Sequence, residues 1–363
     1  MATTDDETAR REKFVHHVRY FDAATRYPAP YIGFTGEPGY KFEHQCLPYD
    51  DSGFLNPGAA TPRTDPDELR IFVVGDSTML AGTEWRETVP GRIQGLLGAA
   101  YSQRVKVYNF GAISSCTEQM CALIWTKLLD LDPDMLVVVS GGTDAFQPLT
   151  FDPRPGYPFN AFLTEFLYTH YFDERNDKSW QSSLDYDGVV TAAFDRMTRM
   201  REVVGYGTPA WEAEIARSYK GSLIKLIRVA QAVTIPVFYF LEPIVVRKQT
   251  LDASEEGLAS PEALAYLARQ YDRFAQALEE LRTHKLPGNL RLIDASDVLN
   301  TKGPGSFYDI VHYDSPGRTT VGQYFADELL RDVRKRGDRR LTRSKRDWMQ
   351  GLIGRLAQRP RQR

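Results

Sequence analysis

The chain has 363 residues, 42% hydrophobic and 26% charged, the balance of an ordinary globular protein, with length for one large α/β domain and its extensions. The formal net charge of -3 is unevenly spread: from Arg331 onward 13 Lys and Arg stand against 3 Asp and Glu, and the first 330 residues carry 32 against 45. An acidic body argues against nucleic acid as a partner, and three cysteines (Cys46, Cys116 and Cys121) without a CxxC pair indicate neither a zinc site nor a disulfide framework.

The amino terminus, Met1 to Glu7, is polar and acidic, and no run of about 18 apolar residues follows anywhere, so the chain reads as cytoplasmic. Residues 7–20 carry Phe14, Val15, Val18 and Tyr20 among charges and read as a short amphipathic helix. Tyr27 to Gly58 is rich in Pro, Gly and aromatics, with many turn signals and no helical period. It reads as an ordered arm lying on the domain, and residues 1–68 form one amino-terminal unit.

Ile71-Phe72-Val73-Val74 is short and wholly apolar, the mark of a central strand buried on both faces, and it runs into Gly75-Asp76-Ser77. Glu87-Thr88-Val89-Pro90 opens a helix to about Ala100. Val105 to Phe110 is a second strand, Cys116 to Asp130 a helix ended by Asp132-Pro133, and Met135 to Ser140 a third strand. Strands and helices alternating over short links imply parallel strands and right-handed crossovers.

Residues 145–210 are aromatic and Asp-rich without a clear period. They read as an insertion beside the active face, where loops choose the substrate; a purely structural flap is the alternative. A helix follows from Trp211 to Ala232, then a strand from Ile235 to Leu241 stopped by Glu242-Pro243. Pro261 to His284 is helical, Leu290 to Ile293 is a fifth strand, and Pro316 to Arg334 is the last helix of a domain spanning 69–334. The tail, 335–363, holds a basic segment, Trp348 to Leu356, of a kind that can lie on an anionic membrane. Its two glycines weaken it as a helix, and a solvated or packed terminus is the preferred reading over membrane contact.

A serine released at the carboxyl end of a parallel strand needs a base, and the base needs a group that fixes its tautomer. His312 follows Asp309 by three residues. The other histidines fit worse: His16 and His17 sit in the first helix, His44 in the arm, His170 in the insertion and His284 at a helix end, and none follows a strand with an acid three residues earlier.

Four blocks in order, Gly75-Asp76-Ser77, Gly111 after the second strand, Gly141-Gly142-Thr143-Asp144 after the third, and Asp309-Ile310-Val311-His312, resemble the SGNH (GDSL) esterase and acylhydrolase family. The third block departs from that family's Gly-x-Asn-Asp, with Thr143 in place of Asn. The resemblance implies a three-layer α/β/α sandwich, flavodoxin-like, around a central, mainly parallel five-stranded sheet. It implies Ser77 as nucleophile, His312 as base and Asp309 as its orienter. The oxyanion donors it implies are the backbone N–H of Ser77, the backbone N–H of Gly111 and the side chain at Thr143. Gly111 suits the role because nothing blocks approach to its backbone. Thr143 cannot supply an amide; in order of preference, its hydroxyl donates, two backbone donors suffice, or the enzyme is weakened. Asp76 and Asp144 are expected to brace their turns, and Asp314 or Ser315 to cap the last helix ahead of Pro316.

The expected function is a serine esterase, hydrolysing a short-chain or acetyl ester of a carbohydrate or small metabolite through an acyl-enzyme, without metal or organic cofactor. An O-acyltransferase with the same residues and a non-catalytic binding protein of the same fold are the alternatives.

Overall fold

The computed structural model describes Glu12 and residues 27–42, 45–101, 103–162, 165, 186–300 and 305–335, with the backbone alone over 186–193. Apart from Glu12, the expected helix over 7–20 lies outside the described residues, as do residues 163–164 and 166–185 of the insertion and the tail beyond Lys335.

Apolar runs buried on both faces need a helical layer on each side. Five of them build one all-parallel sheet: β3 (Glu68–Gly75), β4 (Arg104–Gly111), β5 (Met135–Ser140), β6 (Val237–Leu241) and β7 (Leu290–Asp294), in the order β4-β3-β5-β6-β7. The first helix, α1 (Val89–Gly98), joins β3 to β4 and packs against the last, Ser315–Lys335, on one face. After β4 the chain crosses back over β3 to β5, carrying α2 (Thr117–Leu123) to the other face. There α2 meets Pro209–Ala232, which packs against Pro261–Arg282. Between β5 and Pro209 stand α3 (Gly142–Thr150) and α4 (Tyr186–Val204). The three later helices are therefore α5 (Pro209–Ala232), α6 (Pro261–Arg282) and α7 (Ser315–Lys335).

Three helices start by one local rule, a hydroxyl cap followed by proline in the first turn. Thr88 accepts from the Gly91 N–H, Thr208 from Trp211 and Ser260 from Ala263, ahead of Pro90, Pro209 and Pro261. Each such cap contributes about 1 kcal/mol.

The register aligns the strand ends: Gly75 pairs with Gly111, Val74 with Val138 and Ser140 with Leu241. The winding direction reverses beside β3, so a crevice opens beyond its carboxyl end. Ser77 stands there.

Two expectations about elements are corrected. β3 begins at Glu68, before the apolar run, because its charges are absorbed by neighbours. The buried Arg70 guanidinium lies 5.0 Å from the Tyr108 ring centroid and donates to the Thr61 carbonyl at 2.6 Å, while Glu68 accepts from the Tyr108 hydroxyl at 2.9 Å. The stretch 145–210, read without a clear period, carries most of helix α3 and all of α4.

In the arm, β1 (Tyr27–Ala29) and β2 (Gly33–Thr35) form a short antiparallel hairpin. Farther along, Phe54 packs edge-on against Phe110 of β4 at 5.1 Å. The Asn56 side chain accepts from the Asn109 N–H at 2.7 Å and donates to its carbonyl at 3.2 Å, closing the outer edge of β4 where an open edge would invite pairing. Among the described residues no helix is long and apolar enough to cross a membrane.

Candidate active site

At the end of β3 a single 3₁₀ turn, Ser77–Met79, exposes the serine hydroxyl. Asp76 caps the turn, accepting from the Thr78 N–H at 2.9 Å and the Thr78 hydroxyl at 2.7 Å. His312 Nε2 lies 2.7 Å from Ser77 Oγ, and His312 Nδ1 lies 2.6 Å from Asp309 Oδ2. The other Asp309 oxygen accepts the N–H groups of Val311 at 2.9 Å and His312 at 2.7 Å. One carboxylate thus holds both the loop and the ring. With Nδ1–H donated to Asp309, Nε2 presents its lone pair to the serine hydroxyl, an assignment that follows from the network. The exposed ring of Tyr308 stacks on the imidazole at 5.5 Å and 7°.

The electrostatics follow from these contacts. Burial works against a charged imidazole, but the hydrogen bond and charge of Asp309, with the charge of Asp76, hold His312 above its ordinary value. Burial would raise Asp309, yet its bonds to His312 and the two N–H groups hold it below the usual carboxylate range.

Asp314 caps α7 through the Gly317 N–H at 2.7 Å. Asp144 accepts from the Thr117 N–H at 3.1 Å and the Thr117 hydroxyl at 2.7 Å, tying α3 to α2, and its burial pushes it up to about 6.

Two of the expected oxyanion donors are otherwise engaged. The Gly111 N–H donates to Asn109 Oδ1 at 2.9 Å. A Cβ on Gly111 would stand 2.8 Å from Met79 Cβ and 2.9 Å from the Asp76 carbonyl oxygen, so glycine is there to seat the Ser77 turn on β4. The Thr143 hydroxyl has one proton and gives it to Asp76 Oδ2 at 2.7 Å, bracing Asp76, while Thr143 lines the same cavity as Ser77 and His312.

The Ser77 N–H has no hydrogen-bond acceptor among the described residues. The same holds for Ser114, a residue that the four sequence blocks do not single out. Ser114 sits at φ +51 and lines the same cavity as Ser77 and His312. Its one sequence signal was its place two residues after Ala112 in the loop beyond β4, because serine does not advertise a left-handed backbone as glycine does.

That cavity, about 340 Å³, is walled by Phe42 of the arm, Leu80, Ile113 and Phe146. A second cavity of about 740 Å³ shares Phe146, Val311 and His312 with it and continues between Phe194, Met197 and Leu267.

No protein-family model and no curated protein matches the chain. Among solved structures it is similar to a GDSL-like lipase from Parabacteroides merdae, at 15% identity over 74% of this chain and 99% of that one, with a TM-score of 0.44. It is similar to the acetylxylan esterase Axe2 from Geobacillus stearothermophilus, at 14% identity over 72% and 93% of the two chains, TM-score 0.41. An acylhydrolase structure from Bacteroides fragilis shows 12% identity over 74% and 91%, TM-score 0.41. Likeness at this level settles no chemistry, which rests on the residues above. In its four blocks and its five-stranded parallel sheet, the chain resembles the SGNH hydrolases.

Proposed function

We propose that the protein is a serine esterase that works through an acyl-enzyme. The observation that carries this is the unbroken chain of hydrogen bonds Ser77–His312–Asp309 at the carboxyl edge of the sheet. Ser77 Oγ attacks the ester carbonyl carbon as His312 Nε2 takes its proton. The ester C–O bond then breaks, and His312 returns that proton to the leaving alcohol. Water, deprotonated by His312, releases the acid and restores Ser77. The backbone N–H groups of Ser77 and Ser114 hold the oxyanion, each worth about 3 kcal/mol of barrier.

A short-chain or acetyl ester of a carbohydrate or small metabolite fits the smaller cavity. The adjoining apolar cavity, reached past Phe146 and Val311, favours a second reading in which the ester carries a longer hydrocarbon chain. Acyl transfer to an alcohol in place of water would use the same residues.

The test is turnover of p-nitrophenyl esters from acetyl to decanoyl by wild type and Ser77→Ala. Turnover by wild type that vanishes in the variant is expected, and its chain-length optimum chooses between the two cavities. Folded wild type that turns over no ester of the series would count against the reading.

A further inference from the structure

Beneath the nucleophile lies a second acid that the chemistry above does not use. Glu242, the residue after β6, is completely buried. Its Oε1 accepts the Gly142 N–H at 2.7 Å, and its Oε2 lies 2.9 Å from Thr78 Oγ1. The same Thr78 oxygen lies 2.7 Å from Asp76 Oδ1. Among the described residues neither Asp76 nor Glu242 has an ion-pair partner. Two buried carboxylates therefore share one hydroxyl, and a hydroxyl has one proton. Were both acids ionised, a Thr78 lone pair would face one of them, and two charges would lie buried without a cation.

We infer that Glu242 is held as the neutral carboxylic acid, giving its proton to Thr78 Oγ1 while Thr78 gives its own to Asp76, and that this relay positions the nucleophile turn. Counting donors decides which acid keeps the proton. Leaving aside the shared Thr78 hydroxyl, Asp76 receives the Thr78 N–H and the Thr143 hydroxyl, whereas Glu242 receives the Gly142 N–H. The buried Tyr313 hydroxyl also lies beside Glu242 and Thr78, and its own geometric hydrogen bond runs to the Pro243 carbonyl at 3.3 Å. The remaining groups that face Glu242 are Tyr271 of α6 and Tyr239 of β6, both deeply buried phenols. Burial first, then the facing charge of Asp76, push Glu242 well above the ordinary carboxylate range, in agreement with the donor count.

The relay joins three strand ends. Asp76 and Thr78 follow β3, Gly142 and Thr143 follow β5, and Glu242 follows β6. A Cβ on Gly142 would stand 2.9 Å from Glu242 Oε1, so only glycine lets the backbone come this close to the acid. Glu242 touches no reacting atom; it acts through Asp76 and Thr78 as a positioning residue. Its effect on rate rests on the esterase reading, but the location of the proton does not.

The test uses the full-length protein as wild type, Glu242→Gln and Glu242→Leu. The infrared difference spectrum of wild type minus Glu242→Gln at pH 8 should contain the carbonyl band of a protonated carboxylic acid. Glutamine is neutral and has both a donor and an acceptor, so it should rescue kcat to within about threefold. Leucine should lower kcat on the order of 100-fold with KM little changed, the mark of lost positioning. Absence of the band in wild type, or a Glu242→Gln loss as deep as that of Glu242→Leu, would overturn the inference. Should Glu242→Leu fail to fold, the band and the glutamine rescue still decide. A band present in a protein that hydrolyses no ester would sink the esterase reading and leave the proton where it is placed here.

Discussion

On the proposed esterase reading, His312 and Asp309 activate the Ser77 hydroxyl, and the three act as a unit. Ser77→Ala and His312→Ala should each lower kcat on the order of 10⁴-fold or more, and the double variant should be little worse than either, which a four-way comparison of kcat would check. The base must be neutral to accept the serine proton. Asp309 and Asp76 favour the charged imidazole, so the acid limb of kcat/KM should fall at a pH above the ordinary imidazole value. Asp309→Asn should move that limb downward while lowering the rate; an unmoved limb would mean that another group sets it. Ser77, Asp309 and His312 could be singled out from sequence because the Gly-Asp-Ser and Asp-x-x-His blocks resemble those of the SGNH family, and the fold brings the three side chains together. Gly111, Thr143 and Ser114 could not be assigned that way. Which acceptor an N–H or hydroxyl meets is decided by side chains from other strands, here Asn109 and Asp76.

At the scale of elements, the apolar runs announced the strands, and the strands carry the site to one edge. What escaped was the charged start of β3, where Glu68 and Arg70 are tolerated because Tyr108 serves both. Helices α3 and α4 escaped because glycine, an internal Pro148 and mixed aromatics blur the helical period. The contact between β4 and the nucleophile turn is tight enough to test. Gly111→Ala places a methyl against Met79 and the Asp76 carbonyl. It should cost about 1–3 kcal/mol of stability as overpacking, read from the urea midpoint, and lower kcat by displacing Ser77. A fully stable and active Gly111→Ala would show that the turn has slack.

For the whole molecule, the buried acids make stability depend on pH in an unusual direction. Asp144 titrates near 6 when folded and near 3.8 when unfolded. A raised folded value gives stability that is complete below the unfolded value and lost as pH rises through the folded one. Glu242 and His312, both raised, act in the same sense, Glu242 above the ordinary carboxylate range and His312 above the ordinary imidazole value. Asp309 is lowered, so its contribution is lost only as pH falls below the usual aspartate range. Unfolding free energy should therefore decline between about pH 5 and pH 8, and Asp144→Asn should remove part of the decline. A flat or rising profile in urea titrations would contradict this arrangement of charges. The most direct test of the central claim is intact mass after treatment with a fluorophosphonate, on wild type and on Ser77→Ala. An activated Ser77 predicts one adduct on wild type and none on the variant; folded wild type without an adduct, or an equal adduct on both, would contradict it.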